Sequence, residues 1–193
     1  MPSERLTLAF DTSAAHCAAA LLRGQALLGT AYEPMKRGQS ERLFGLLEEL
    51  LRAHDSDWQD ITKIGVGVGP GNFTGIRIAV SAARGLALSL NIPAHGVSGF
   101  EAARFGHAAA RPVALPAPQG QVYLSEAGNE AELVAEAAGA AGALGLPEPE
   151  EMVERIARIA AARGDGPPPA PLYIRAADAA PASDAPPRIL DDA

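Results

Sequence analysis

Residues 64–79 read IGVGVGPGNFTGIRIA, with five glycines and one proline between an apolar run and an amphipathic segment. An apolar run with glycine at alternate positions is a buried strand stripped of side chains on one face. Another element must pack close there. Gly69-Pro70-Gly71 forms a tight turn. Thr74–Leu90 reads as a helix, and Gly75 permits close approach at its start. A strand feeding a helix through so tight a corner places this part of the chain in an α/β architecture. Two readings of the corner stand side by side. The free amides at the helix start hold an anion, or the corner turns the chain and holds nothing. The stretch is no Walker loop, because no Lys-Ser or Lys-Thr follows. It also lacks the βαβ setting and acidic partner of a dinucleotide fingerprint.

The segments around the corner complete a sheet. "LTLAF", "HCAAALL" and "GQALLGTAYE" read as three strands, the last two joined by a turn at Arg23-Gly24. Ser40 reads as the N-cap of a helix with Glu41 in its first turn. Leu43, Leu46, Leu47, Leu50 and Leu51 form its apolar face, and it stops near His54. "DSDWQDI" is a surface connection, "KIGVGVG" a strand, and "NIPAHGVS" a break followed by a short strand. Gly99–His107 is a turn or two of helix. The order gives a mixed five-stranded sheet with helices packed on it, over residues 1–100. In residues 101–175, "RPVALPAPQGQVYLSE" reads as two strands around a turn and "NEAELVAEAAGAAGAL" as a weak helix. "PEEMVERIARIAAARG" is a stronger helix, with Met152, Ile156, Ile159 and Ala160 on one face and Gly164 as its stop. "GDGPPPAP" is a rigid spacer and "LYIR" a last short strand. Residues 176–193 have the composition of a flexible tail.

Composition narrows the function classes. A hydrophobic share of 48% in 193 residues supports a core. No run of eighteen apolar residues occurs, which reads as no membrane span. The first ten residues do not have the form of a secretory signal. A net charge of -7 argues against a broad phosphate-backbone platform. Lys36, Arg37, Arg42 and Arg77 are left as a local basic patch. The one cysteine, Cys17, reads as a small buried hydrophobe. These features together read as a cytoplasmic protein. Asp11-Thr12-Ser13, at the end of the first strand, either lines a site above the sheet or forms an Asx turn opening the hairpin.

"LAFDTS" followed by "IGVGVGPGNFTGIRIAVSAARGLA" closely resembles the bacterial TsaB family, also called YeaZ, over residues 6–100. "QVYLS" and "PLYIR" match more loosely. The resemblance implies the actin-like ATPase and sugar kinase fold with two ribonuclease-H-like lobes. The first lobe covers 1–100. The second, over 101–175, is shortened, and part of its last helix packs back on the first. It also implies a function: a non-catalytic partner of TsaD, the subunit that transfers threonylcarbamoyl to adenosine 37 of tRNAs reading ANN codons. TsaE is a further partner, ATP and magnesium are used by the complex, tRNA is reached through it, and the chain self-associates when alone. Two alternatives are a nucleotide-dependent phosphotransferase of the same fold group and an M22-type peptidase. The candidate phosphate-loop residues are Asp11, Thr12, Ser13, Gly69, Gly71, Asn72, Thr74 and Gly75.

The catalytic relatives hold a metal through two histidines four residues apart. Here Gln39 and Leu43 stand at those places. His16, His54, His95 and His107 show no such pair, and no H-E-x-x-H or G-x-S-x-G occurs. The family's Asp-Ala-Arg is replaced by Pro116-Ala117-Pro118 before Gln121-Val122-Tyr123. No catalytic residue and no metal ligand is therefore expected. The helix from Thr74 has a second face of small residues, which lets another helix come close. In the family two helices of this kind dock onto TsaD. The candidate interface is Phe44, Leu47, Ile78, Ala82, Gly85 and Ser89.

Overall fold

The computed structural model describes residues 6–126, 129–135 and 141–174. Five strands form one sheet in the order β3-β2-β1-β4-β5: β1 Leu6–Asp11, β2 His16–Arg23, β3 Ala26–Pro34, β4 Ile61–Gly67 and β5 Ala94–Val97. β1, β2 and β3 are antiparallel, while β4 and β5 run parallel to β1. The sheet is mixed, as the strand and helix order predicts. Helices α1 (Gln39–Ala53) and α2 (Phe73–Leu90) cover one face. The other face is covered by α4 (Pro149–Ala162), which lies across β1, β2 and β4. The short α3 (Gly99–Arg104) follows β5 and is opened by a reciprocal Ser98–Glu101 cap. A three-stranded sheet, β6 Val113–Ala117, β7 Gln121–Ser125 and β8 Glu132–Ala135, stands beyond it.

Residue size explains the layering. β2 is covered on both faces, and its alanines leave room for helices on each side. Ala18 and Ala20 belong to the cluster around α4, and Ala19 to the cluster around α1 and α2. Gly65 of β4 serves the same end. A Cβ there would lie 2.9 Å from Ala160 and 3.1 Å from Ile156, so the bare backbone admits α4. Met152, Val153, Ile156, Ala157 and Ala160 are the buried side of that helix. On the opposite face all five leucines of the α1 stripe are buried, each contributing roughly 1.5–3 kcal/mol. Cys17 is fully buried among them, and burial, with Glu33 nearby, pushes its thiol up to about 11.

Four local readings need correction. The β2–β3 turn is Gly24-Gln25, because Arg23 still pairs with Ala26 and Gly24 takes the positive φ of 58°. The cap of α1 is Gly38, at φ 91°, whose carbonyl accepts from Arg42 N–H; Ser40 lies inside the helix and donates to Glu41. Residues 132–135 of the expected weak helix are β8, since pairing with β7 outweighs alanine's helix propensity. Residues 136–140 lie outside the described residues. Of the expected last strand "LYIR", residues 172–174 form no strand; Leu172 N–H donates to Val68 O, just after β4, at 2.8 Å. Arg175 and the expected tail, 176–193, lie outside the described residues.

Candidate functional site

The four-residue turn between β1 and β2 holds Asp11 at the strand end, where the residue is buried. Asp11 Oδ2 accepts from Ser13 N–H at 3.0 Å and from Ser13 Oγ–H at 2.9 Å, which is the Asx-turn geometry. His16 Nε2 lies 3.1 Å from the same oxygen, and His16 packs edge-on against Tyr32. Both side-chain donors reach one oxygen, so His16 is not placed to take a proton from Ser13. His16 escaped the sequence reading. Its signal was period two: His16, Ala18 and Ala20 share a face, and the register pairs Ala18 with Asp11. Asp11 Oδ1 is buried with no hydrogen-bond partner and lies over Gly67, where a Cβ would be 1.9 Å away.

The corner after β4 packs directly on this turn. A Cβ on Gly75 would sit 1.9 Å from Thr12 O, and one on Gly71 would sit 2.4 Å from Ser13 O. Thr12 Oγ1–H donates to Gly75 O at 2.7 Å, and Asn72 N–H donates to Ser13 O at 2.6 Å. Asn72 caps α2 by accepting from Gly75 N–H at 2.9 Å. The peptide Gly69–Pro70 is cis, and Gly69 O accepts from Gly99 N–H. The close approach foreseen at Gly75 is therefore made by backbone of the Thr12-Ser13 turn.

A cavity of about 660 Å³ opens above these turns. Its walls are the starts of α1 and α2 on one side and Pro116–Pro118 with Tyr123 on the other. Ser13, Gly71, Asn72, Thr74 and Gly75 line it; Asp11, Thr12 and Gly69 lie behind the wall. Gln39 sits at the mouth, its amide turned to Ala14 O and Met35 O, and Leu43 is buried in the core. The basic patch is divided. Lys36 and Arg37 line the cavity with Glu41. Arg42 is taken up by Glu33 and Glu49, and Arg77 stacks on Phe73 at 3.7 Å and donates to Tyr173 at 3.0 Å.

These residues do not fit a magnesium–nucleotide. Asp11 Oδ2 is taken by Ser13 and His16, Oδ1 is buried against Gly67, Asp11 is absent from the cavity wall, and the amide of Gly75 is taken by Asn72. Among the described residues, no three His, Cys, Asp or Glu side chains converge as a metal-ligand set.

The candidate interface residues divide by exposure. Leu47 is fully buried in the core, so its place in an interface is withdrawn: it faces the sheet, one turn from Leu43 and Leu51. Phe44 is exposed and touches Trp58. Gly85 and Ser89 are exposed, and Ile78 and Ala82 are half-buried against the core. Leu88, which the sequence reading passed over, is 85% exposed. By length and composition α2 is apolar enough to cross a membrane, at mean hydropathy 1.2. Its inner side, Ile76, Ala79, Val80 and Ala83, is nevertheless packed on the sheet.

Comparison with known proteins places this geometry. A family model described as TsaD, tRNA N6-adenosine threonylcarbamoyltransferase, matches residues 29–174. The chain is 40% identical over 94 residues to the tRNA threonylcarbamoyladenosine biosynthesis protein TsaB of Bacillus subtilis, covering 49% of this chain and 41% of that protein. It is 32% identical over 124 residues to the Escherichia coli protein of the same name, covering 62% and 53%. The chain thus spans about half the length of the curated relatives it matches. Among solved structures, a Pseudomonas aeruginosa protein described as similar to peptidase YeaZ superposes with TM-score 0.71 at 25% identity, over 89% of this chain and all of that one. YeaZ from Pseudomonas aeruginosa superposes with TM-score 0.57 at 27% identity, over 67% and 66%. The chain belongs to the family of the tRNA N6-adenosine threonylcarbamoyltransferase TsaD, in its bacterial TsaB (YeaZ) branch.

Proposed function

We propose that this chain is a non-catalytic partner of TsaD in threonylcarbamoylation of adenosine 37 in tRNAs reading ANN codons. One observation carries the reading: toward its C-terminal end α2 leaves Leu88 85% exposed next to an open Gly85, on the side turned away from the sheet. A large apolar side chain exposed beside a bare glycine on a helix marks a surface that a partner can cover. Gly85 lies open on it, Leu88 projects from it, and Ser89 adds a third small or apolar position. Phe44 of α1 extends the surface. TsaD covers this face in the complex, and a second copy covers it when TsaD is absent. The expected measurement is a one-to-one complex of the purified chain with TsaD in light scattering after gel filtration. Failure to form any complex would contradict the reading.

On this reading residues 1–100 are a ribonuclease-H-like lobe of the actin-like ATPase and sugar kinase fold. Residues 101–175 are a shortened second lobe whose α4 returns to the first. The complex works in the cytoplasm. It takes in TsaE, reaches tRNA, and uses ATP and magnesium bound by its other subunits. The Thr12-Ser13 turn against Gly71 and Gly75 serves to hold the α2 start in place. The purified chain alone is therefore expected to hydrolyse neither nucleotide nor peptide. A nucleotide turnover that survives purification and disappears in Asp11→Ala would overturn this and favour a phosphotransferase.

A further inference from the structure

A second cavity lies at the far end of α2. About 710 Å³ of space opens between the last turns of α2, the 91–94 connection into β5 and the 165–169 strap that follows α4. Ala87, Leu88, Ile92, Pro168 and Pro169 supply its apolar surface. Leu88 is the most exposed large apolar side chain among the described residues. The only charged residues of the lining are Arg84 on α2 and Asp165 on the strap. Both are exposed, and among the described residues neither makes an ion pair, with the other or with a third group. An apolar groove with one free charge of each sign suits neither a simple anion nor a simple cation. It suits an apolar segment that carries opposite charges at its two ends.

The chain itself carries such a segment. Residues 176–193 contain two apolar residues larger than alanine and proline, Ile189 and Leu190. Arg188 precedes the pair, and Asp191 and Asp192 follow it. The connecting length is sufficient. Pro169 of the groove lies five residues before Ile174, so the two are at most about 18 Å apart. Ile189 lies fifteen residues beyond Ile174, which is about 45 Å of extended chain. A tether of this length holds its end at roughly millimolar effective concentration, at which a contact through two apolar side chains is populated.

We propose that residues 188–192 dock in this groove within the same chain. Ile189 and Leu190 cover Leu88 and Ile92, Arg188 lies beside Asp165, and Asp191 and Asp192 lie beside Arg84. The groove shares Gly85 and Leu88 with the face assigned above to TsaD, so the docked segment and TsaD compete. The docking is independent of the TsaD reading; the competition rests on it.

A nitroxide on Ala193→Cys in the full chain tests the docking. Cys17 is fully buried and its thiol is pushed up to about 11, so at neutral pH the label attaches to the new thiol alone. In NMR the amide signals of Leu88, Ile92 and Gly166 are expected to broaden, while those of Leu27 and Ala31, on the opposite edge of the sheet, stay sharp. Ile189→Ser with Leu190→Ser is expected to remove the broadening. Arg84→Glu is expected to weaken it, and Asp191→Lys with Asp192→Lys to restore it in that background. An isotope-labelled chain without nitroxide, mixed with a nitroxide-bearing chain without isotope, is expected to show no broadening. Broadening in that mixture would make a second copy the occupant and overturn the proposal, as would absent or unlocalised broadening in the first sample. In calorimetric titration, Ile189→Ser with Leu190→Ser is expected to bind TsaD about three- to tenfold more tightly, because a face free only about a tenth to a third of the time binds that much more weakly. Equal affinity would overturn the competition. Localised broadening without TsaD binding by either protein would uphold the docking and overturn the TsaD reading.

Discussion

Replacing Gly75 with alanine is expected to destabilise the protein by about 2 kcal/mol or more. The new Cβ would lie 1.9 Å from Thr12 O and 3.0 Å from Thr12 C, and both are backbone atoms. Thr12 cannot easily retreat, because its hydroxyl is bonded to Gly75 O and it is fully buried. Alanine gains about 1 kcal/mol over glycine in a helix interior, which offsets part of the clash but not all of it. Gly85→Ala is the internal control. It lies on the same helix with nothing within 4 Å of its Cβ, so it is expected to stabilise by up to about 1 kcal/mol. Urea unfolding with an unchanged slope measures both. A Gly75→Ala protein as stable as the parent would show that the Thr12-Ser13 turn does not fix the α2 start.

Gly85→Leu is expected to leave the fold intact and to weaken TsaD binding by about 2–4 kcal/mol, a loss of roughly thirtyfold to several hundredfold. A Cβ at Gly85 meets nothing within 4 Å in the free chain, and the position is exposed, so a leucine there can point into solvent. At a closely packed helix–helix contact the same side chain forces the partner away. Circular dichroism establishes folding and calorimetric titration with TsaD measures the loss. Equal affinity in a folded variant would move the docking face to the outer edge of β3, where Leu27 and Tyr32 are exposed.

The order of strands and helices was legible because its signals are local. The leucine stripe of α1, the glycine alternation of β4 and the Asn72–Gly75 start of α2 each carry their own periodicity or cap. Residues 132–135 differ from the expected helix because a four-residue stretch inside an alanine-rich segment takes its state from its neighbour, and that neighbour is β7. The site was legible in composition and not in direction. Asp11, Ser13, Asn72 and Gly75 do converge, but sequence cannot show that the glycines admit the Thr12-Ser13 backbone, or that Asp11 turns toward His16. Leu47 was assigned to two surfaces because its position borders both; only packing against the sheet decides between them. Leu88 passed unnoticed because exposure of one leucine among many is a property of the fold.

Reconstitution of tRNA threonylcarbamoylation from purified TsaD, TsaE, ATP, magnesium, an activated threonylcarbamoyl donor and tRNA tests the proposed role most directly. With this chain present, modification of adenosine 37 is expected to proceed. Without it, or with Gly85→Leu in its place, modification is expected to fall to near background. Undiminished modification in its absence would contradict the role of an obligatory partner.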